Sequence, residues 1–325
     1  MIKIGIYRHF FKKNISPQIY KSRLCDELEK NKFKIIDNIS PFYDFGFYTT
    51  SCNNFWNKPY FLRIDGLYNN SNKKNYISEK KNYEIYLKAL KAKKLLFVSK
   101  YSLEFFYLKF PDLKNKIYEE IFPIGVPIDK DYSPIGKNYR NKLGFKDNET
   151  VIVTAAQWRR HKRLEECVKF FKYLSKKTDK KFKLLILGSE KNYQTENGNI
   201  VYVKSVQSKE LPSYYRSGDI FINLCWIEAA GNAVTEAISC GLPSIVTNNG
   251  GAKEYILKSN GGIVSNCDKP YNFEMVDLEN PPEPDYKVLF EDLMQLTENL
   301  DKFKKDINYD SLSIKHSANI FKKLF

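Results

Sequence analysis

The chain has 325 residues, 42% of them apolar, which suits two domains that each bury a core and excludes a disordered chain. No run reaches the 18 or so uncharged apolar residues of a membrane span, and the six cysteines are scattered without a Cys-x-x-Cys pair, so neither a zinc site nor a disulfide framework is indicated. The net charge of +15 suggests nucleic acid at first sight, but its lysines are spread throughout, as on solvated faces, and no nucleic-acid partner is expected.

In chain order, residues 3–7 and Lys34–Asp37 read as strands, with a helix over 18–31 between them. The opening Met1-Ile-Lys-Ile-Gly-Ile-Tyr7 reads as a strand entering the fold rather than a leader, so a cytoplasmic site of action is expected. Tyr60–Ile64 is a further strand, ending in Asp65-Gly66. Residues 68–82 are polar and aperiodic and read as a loop or flap. A helix over 83–94, a strand over 95–99 and a short aromatic helix over 103–110 follow. The polar stretch 130–142 reads as a linker. Beyond it come a buried strand at 151–155, a helix at 164–176, strands at 184–187 and 199–203, and a helix at 209–216. A Pro-rich loop at 268–285 precedes a helix over 285–300, and a last helix spans about 311–324.

The densest information lies in residues 220–247. An apolar run at 220–224 reads as a strand, 225–231 as a loop, 232–240 as a helix stopped by Gly241 and Pro243, and Ser244–Thr247 as the next strand. This βαβ order puts the loop and helix N-terminus at the carboxyl edge of a parallel sheet, where such sheets bind ligands. Glu228 then lies in the loop and Glu236 about one turn into the helix, beside backbone N–H groups suited to phosphate. Directly after strand 151–155, Trp158-Arg-Arg-His-Lys-Arg163 puts a dense cation cluster at the same kind of edge.

The Glu-x7-Glu spacing of Glu228 and Glu236, the Gly231-Asn232 between them, the Glu-Ala-x-x-x-Gly-x-Pro ending and Gly250-Gly251 together resemble retaining glycosyltransferases of the GT-B fold, family-4 type. The resemblance implies an α/β protein of two Rossmann-like domains facing across a cleft. An acceptor-side domain would span 1–135, with the helix at about 311–325 packing back onto it, and a donor-binding domain 136–310. Pro123-Ile-Gly-Val-Pro-Ile-Asp129 resembles the segment by which the family leaves its first domain.

From the same resemblance, Glu236 would hold the donor ribose, and Glu228 the donor sugar, also stabilising positive charge near the anomeric carbon. Ala229, Gly231 and Asn232 would belong to the donor site, the last two offering backbone N–H groups. Ser205 and Val206 would lie near the nucleobase above Gly188, and a structural role for these three stays open. Lys162 matches the family lysine that faces the diphosphate. The family arginine is replaced by Gln157, and Arg159 is chosen over Arg160 to compensate. In the first half, Asp65 is a candidate for orienting the acceptor hydroxyl, with a turn-forming Asp-Gly as the other reading. The family's Gly-Gly loop after the first strand is absent; Arg8-His-Phe-Phe-Lys-Lys-Asn-Ile-Ser16 stands there, and His9 lies in it.

The implied activity is metal-independent transfer of a sugar from a nucleoside-diphosphate donor, UDP- or GDP-linked, to a hydroxyl on a glycan, glycolipid or protein-linked sugar. No cofactor is expected, since the nucleotide-sugar is a substrate. A positive field would gather the anionic donor, and a peripheral membrane contact is left open. The alternatives are a non-catalytic nucleotide-sugar-binding partner subunit and a same-fold epimerase.

Overall fold

The computed structural model describes residues 1–6, 16–50, 54, 56–69, 75–189, 195–196, 198–273 and 277–325. They form two compact units: Met1–Gly125 with Asn272–Asp277 and Ser313–Phe325, and Val126–Tyr271 with Leu278–Leu312. The expected boundary was residue 135.

The first unit runs β1 (Lys3–Ile6), α1 (Ser16–Lys30), β2 (Lys34–Asp37), β3 (Phe45–Thr49), β4 (Tyr60–Ile64), α2 (Asn75–Ala89), β5 (Lys94–Phe97), α3 (Lys100–Lys109) and β6 (Tyr118–Ile121). Its sheet has the order β2-β1-β3-β4-β5-β6, every pair parallel. Strands covered on both faces read as continuous apolar runs, which is why β4 and β5 were legible. β3 and β6 were not foreseen, because Gly46 interrupts the first and Glu119-Glu120 disguise the second. The loop expected over 68–82 is also corrected: α2 begins at Asn75 and stops at Ala89. It hides its helical period because buried Ser78 and Asn82 share the inward face with Ile85 and Ala89, Asn82 bonding the Tyr68 backbone, while Ile77, Tyr83 and Leu87 are exposed. The C-terminal helix Ile314–Lys322 belongs to this unit. Its Phe321 is fully buried edge-on against Phe33, Phe47 and Phe61, and Ser317 Oγ donates to Pro123 O at 2.8 Å.

The second unit runs β7 (Thr150–Ala155), α4 (Leu164–Lys177), β8 (Phe182–Leu187), β9 (Thr195–Glu196), β10 (Ile200–Val203), α5 (Leu211–Tyr215), β11 (Ile220–Asn223), α6 (Asn232–Ser239), β12 (Ser244–Thr247), α7 (Ala252–Ser259), β13 (Gly262–Ser265) and α8 (Tyr286–Glu298). The sheet order is β13-β12-β11-β7-β8-β10-β9, with only β9 antiparallel. Leu184, Ile186, Ile220, Ile222 and Ile245 of the sheet pack with Phe170 and Leu174 of α4 and Leu289, Leu293 and Leu296 of α8. Full burial of each such side chain is worth about 1.5–3 kcal/mol, so this face anchors the strand ends that carry the site.

The segment read as a linker, 130–142, is fastened to the second unit. Tyr132 is buried, Arg140 pairs with Asp219 at 3.0 Å, and Arg216 Nε donates to Lys137 O at 2.9 Å. Its polar residues serve as ties, a use that composition does not distinguish from solvation. No helix among the described residues is long and apolar enough to cross a membrane.

Candidate active site at the carboxyl edge of the second sheet

In this sheet β7 lies between β11 and β8, and the chain leaving β7 crosses to β8. The gap between β7 and β11 is therefore a topological switch point, where the two following loops diverge and leave a crevice. The loop after β7 makes a 3-10 turn at Arg160–Lys162, and Arg163 enters α4 in the left-handed region at φ 58°. Lys162 Nζ reaches across the switch point and donates to Glu228 Oε2 at 2.5 Å. The other carboxylate oxygen, Oε1, accepts from Asn223 Nδ2 at 2.8 Å, and Asn223 Oδ1 accepts from the Cys225 amide at 2.8 Å. Trp226 N donates to His161 O at 3.0 Å, so the backbone ties the same two loops.

Gly250 and Gly251 hold the Glu228 backbone from the next strand. Gly251 N donates to Glu228 O at 2.8 Å. Gly250 has φ +77°, and a Cβ on it would stand 2.4 Å from that same oxygen, so no larger residue fits without displacing the glutamate.

The cation cluster read from the sequence is largely neutralised. Arg160 grips Glu166 with bonds of 2.8 and 2.7 Å, and Arg163, wholly buried, grips Asp268 at 2.8 and 3.0 Å. These two arginines brace α4 and the 268 loop. Lys162 is likewise paired, with Glu228 at the switch point, and Arg159 is exposed with no ion pair among the described residues. Consecutive residues around a tight turn point in different directions, so a run of cations in sequence is not a cluster in space. Gln157, at the family arginine position, is exposed.

The microenvironment is strongly perturbed. Burial first, then the Lys162 ammonium, lowers the His161 pKa to about 4, so its imidazole is neutral at physiological pH. Burial pushes the Cys225 thiol up to about 12. For Lys162, burial acts downward, but the Cys225 sulfur and Glu228 carboxylate outweigh it and leave the ammonium raised above its ordinary value. The pair is thus a fixed cation beside a carboxylate whose two oxygens are already oriented.

The remaining expected residues take these places. Gly188 directly follows β8 at φ +81°, and a Cβ there would lie 2.2 Å from Ala156 O; beside it Trp158 Nε1 donates to Leu187 O at 2.9 Å. Ser205 is exposed and Val206 half-buried in the loop after β10. Ala229 lies in the loop after β11, Gly231 caps α6, and Asn232 is its first residue. Glu236 is 8% exposed, and Tyr215 OH donates to its Oε2 at 3.4 Å. Burial, then the Glu236 carboxylate, raises the Tyr215 phenol well above its ordinary value, so it stays a donor. The second sheet thus carries all of these on loops or helix starts at one edge, with Lys162 and Glu228 in direct contact.

Asp65 belongs to the first unit, where it accepts an ion pair from buried Arg63 at 2.8 Å, and the Arg63 guanidinium lies 3.8 Å above the Tyr20 ring. His9 lies outside the described residues. The sequence reading missed Asn223, His161 and Cys225. A polar residue closing an otherwise apolar strand was the available signal for Asn223, because a strand's last residue faces the carboxyl-edge crevice.

Residues 136–273 match the family model described as glycosyl transferases group 1. The chain is 24% identical over 152 residues to an alpha-monoglucosyldiacylglycerol synthase of Streptococcus pneumoniae (strain ATCC BAA-255 / R6), covering 42% of this chain and 34% of that protein. It thus spans about a third of the length of that curated relative. Among solved structures it is similar to a sucrose-phosphate synthase from Thermosynechococcus elongatus, with TM-score 0.73, 12% identity and 100% and 98% of the two chains covered. It is also similar to Anabaena HepE in complex with UDP-glucose, with TM-score 0.67, 11% identity and 100% and 99% covered. The order of strands and the likeness to these solved structures give the chain the GT-B fold, and residues 136–273 match the model of the group 1 glycosyl transferases.

Proposed function

We propose that the chain is a retaining glycosyltransferase that moves a sugar from a UDP- or GDP-linked donor to a hydroxyl acceptor on a glycan or lipid-linked molecule. The observation that carries this reading is the Lys162–Glu228 pair, oriented by Asn223, at the switch point of a parallel sheet. The second unit is assigned the donor and the first the acceptor, with Asp65 orienting the acceptor hydroxyl.

Breaking the glycosidic bond accumulates negative charge on the departing diphosphate, and stabilising that charge is the main catalytic demand. Lys162 and Arg159 supply cations, and the first N–H groups of α6, after Gly231, supply donors to phosphate. Because this set meets the charge, the proposal is metal-independent. Glu228 faces the sugar hydroxyls and the positive charge that develops near the anomeric carbon. Glu236, one turn into α6, takes the ribose hydroxyls. The leaving phosphate accepts the acceptor proton from the same face that the sugar leaves, which gives retention without a dedicated protein base. Anabaena HepE, similar in fold, is complexed with UDP-glucose, which supports a nucleotide-sugar donor. A cytoplasmic location, with contact at a membrane surface, completes the proposal.

The test is thermal stability against UDP, GDP, ADP and their common sugar conjugates. A ligand at 100 times its dissociation constant stabilises the folded state by about 2.7 kcal/mol. One nucleotide should shift the parent but not Glu236→Ala. Glu228→Ala should keep the shift with the bare nucleotide and lose the extra shift with its sugar conjugate. Proton NMR of the product should show the donor's anomeric configuration. Absence of any shift would overturn the donor site and favour a non-catalytic partner subunit.

A further inference from the structure

The first unit holds a cavity of about 680 Å³ that none of the chemistry above uses. It opens beside Tyr60, the first residue of β4, and Lys93, which immediately precedes β5. It therefore lies toward the amino ends of these strands, opposite the carboxyl edge where parallel sheets place their reaction chemistry. Its size is that of a small-molecule site.

The lining has two chemically distinct parts. Pro59, Tyr60, Leu62 and Leu87 form an apolar wall. Lys58, Lys88, Lys91 and Lys93 supply four cations against a single carboxylate, Glu84. Lys88 Nζ is engaged by Thr50 O at 2.7 Å, while Lys58, Lys91 and Lys93 have no ion pair among the described residues. In a chain of net charge +15 many lysines lack a carboxylate partner; what distinguishes these three is that they border one concavity holding a single carboxylate, which makes a local concentration of charge. Low-dielectric walls focus such a field on an entering anion. The rim is also built rather than loose. Asn54 Nδ2 donates to Lys58 O at 2.9 Å while its Oδ1 accepts from Lys58 N at 3.2 Å, which fixes the backbone that presents Lys58. Tyr60 OH donates to Lys88 O at 2.6 Å, pinning α2 against the wall.

We propose that this cavity is a second ligand site, separate from the sugar-transfer site, and that it binds a phosphate monoester or diester whose organic portion lies on the apolar wall. The phosphate is recognised by Lys58, Lys91 and Lys93 as point charges. Two sources carry this chemistry: a soluble phosphate ester and the headgroup of an anionic phospholipid. Exposed Leu87 and Leu90 adjoin Lys88 and Lys91 in sequence, which makes the lipid source worth its own arm.

The experiment uses the full chain and two probes, glycerol 3-phosphate by calorimetry and co-sedimentation with vesicles of phosphatidylglycerol in phosphatidylcholine. The variant is Lys58→Ala/Lys93→Ala, and Lys302→Ala/Lys305→Ala, two exposed lysines of the second unit, is the charge-matched control. The expected result is saturable binding of at least one probe, weakened tenfold or more in the cavity variant and unchanged in the control. Binding of glycerol 3-phosphate with this pattern identifies a soluble ester; binding only of vesicles with this pattern identifies a lipid headgroup. No binding of either probe, or equal loss in variant and control, overturns the site. Donor-nucleotide binding measured alongside should be the same in all three proteins, so failure here is distinguishable from failure of the transferase reading.

Discussion

Replacing Lys162 by Met tests whether the switch-point pair is a working electrostatic unit. Lys162 is 21% exposed and Glu228 15%, so the pair is neither a surface bridge nor a fully buried one. Exposed pairs contribute about 0.2–1 kcal/mol, whereas removing one partner of a buried pair costs about 3–5 kcal/mol. In Lys162→Met the carboxylate keeps Asn223 Nδ2 and some water, which places the expected loss between those limits, at about 2 kcal/mol. With Glu228→Gln in place there is no charge to strand, and the same lysine substitution should cost less than about 0.5 kcal/mol. The coupling from the double-mutant cycle is then about 1.5 kcal/mol. Urea unfolding followed by tryptophan fluorescence reads it, because Trp158 and Trp226 both lie in the loops that carry the pair; Trp56→Phe removes the reporter in the other unit. Equal losses with Glu and with Gln at position 228 would show that Lys162 is held by packing, and would refute the electrostatic account.

Two further outcomes follow from the same geometry. Arg159→Ala should weaken binding of the stabilising nucleotide about tenfold, or about 1.4 kcal/mol, while Arg160→Ala leaves it within twofold and lowers thermal stability through loss of the Glu166 grip; the reverse order of effects would reassign the phosphate cation. His161, whose folded pKa of about 4 lies below its ordinary 6.5, contributes stability that is present above about pH 6.5 and lost as pH falls toward 4. His161→Gln should therefore flatten the fall in melting temperature across that window, and an unchanged slope would show that carboxylates alone govern it.

The sequence alone determined the features that depend on neighbours along the chain. Apolar runs marked β4, β5, β7, β8 and β11, and the Gly241-Leu-Pro243 stop marked the end of α6, because local pattern and backbone preference suffice there. Glu228 and Glu236 were legible from their place in the strand–loop–helix order, and Lys162 from the family resemblance. What those residues touch was decided by the tertiary structure. Lys162 meets Glu228 from 66 residues away, and Arg163 meets Asp268 from 105 away, so only strand order could bring the first pair to a crevice and spend the second on bracing a loop. Strand order likewise turned four adjacent cations into one exposed arginine, one switch-point lysine and two structural grips. It also gave Asn223 its orienting role: a side chain acquires a partner through the sheet edge on which it ends, and no one-dimensional pattern records that edge.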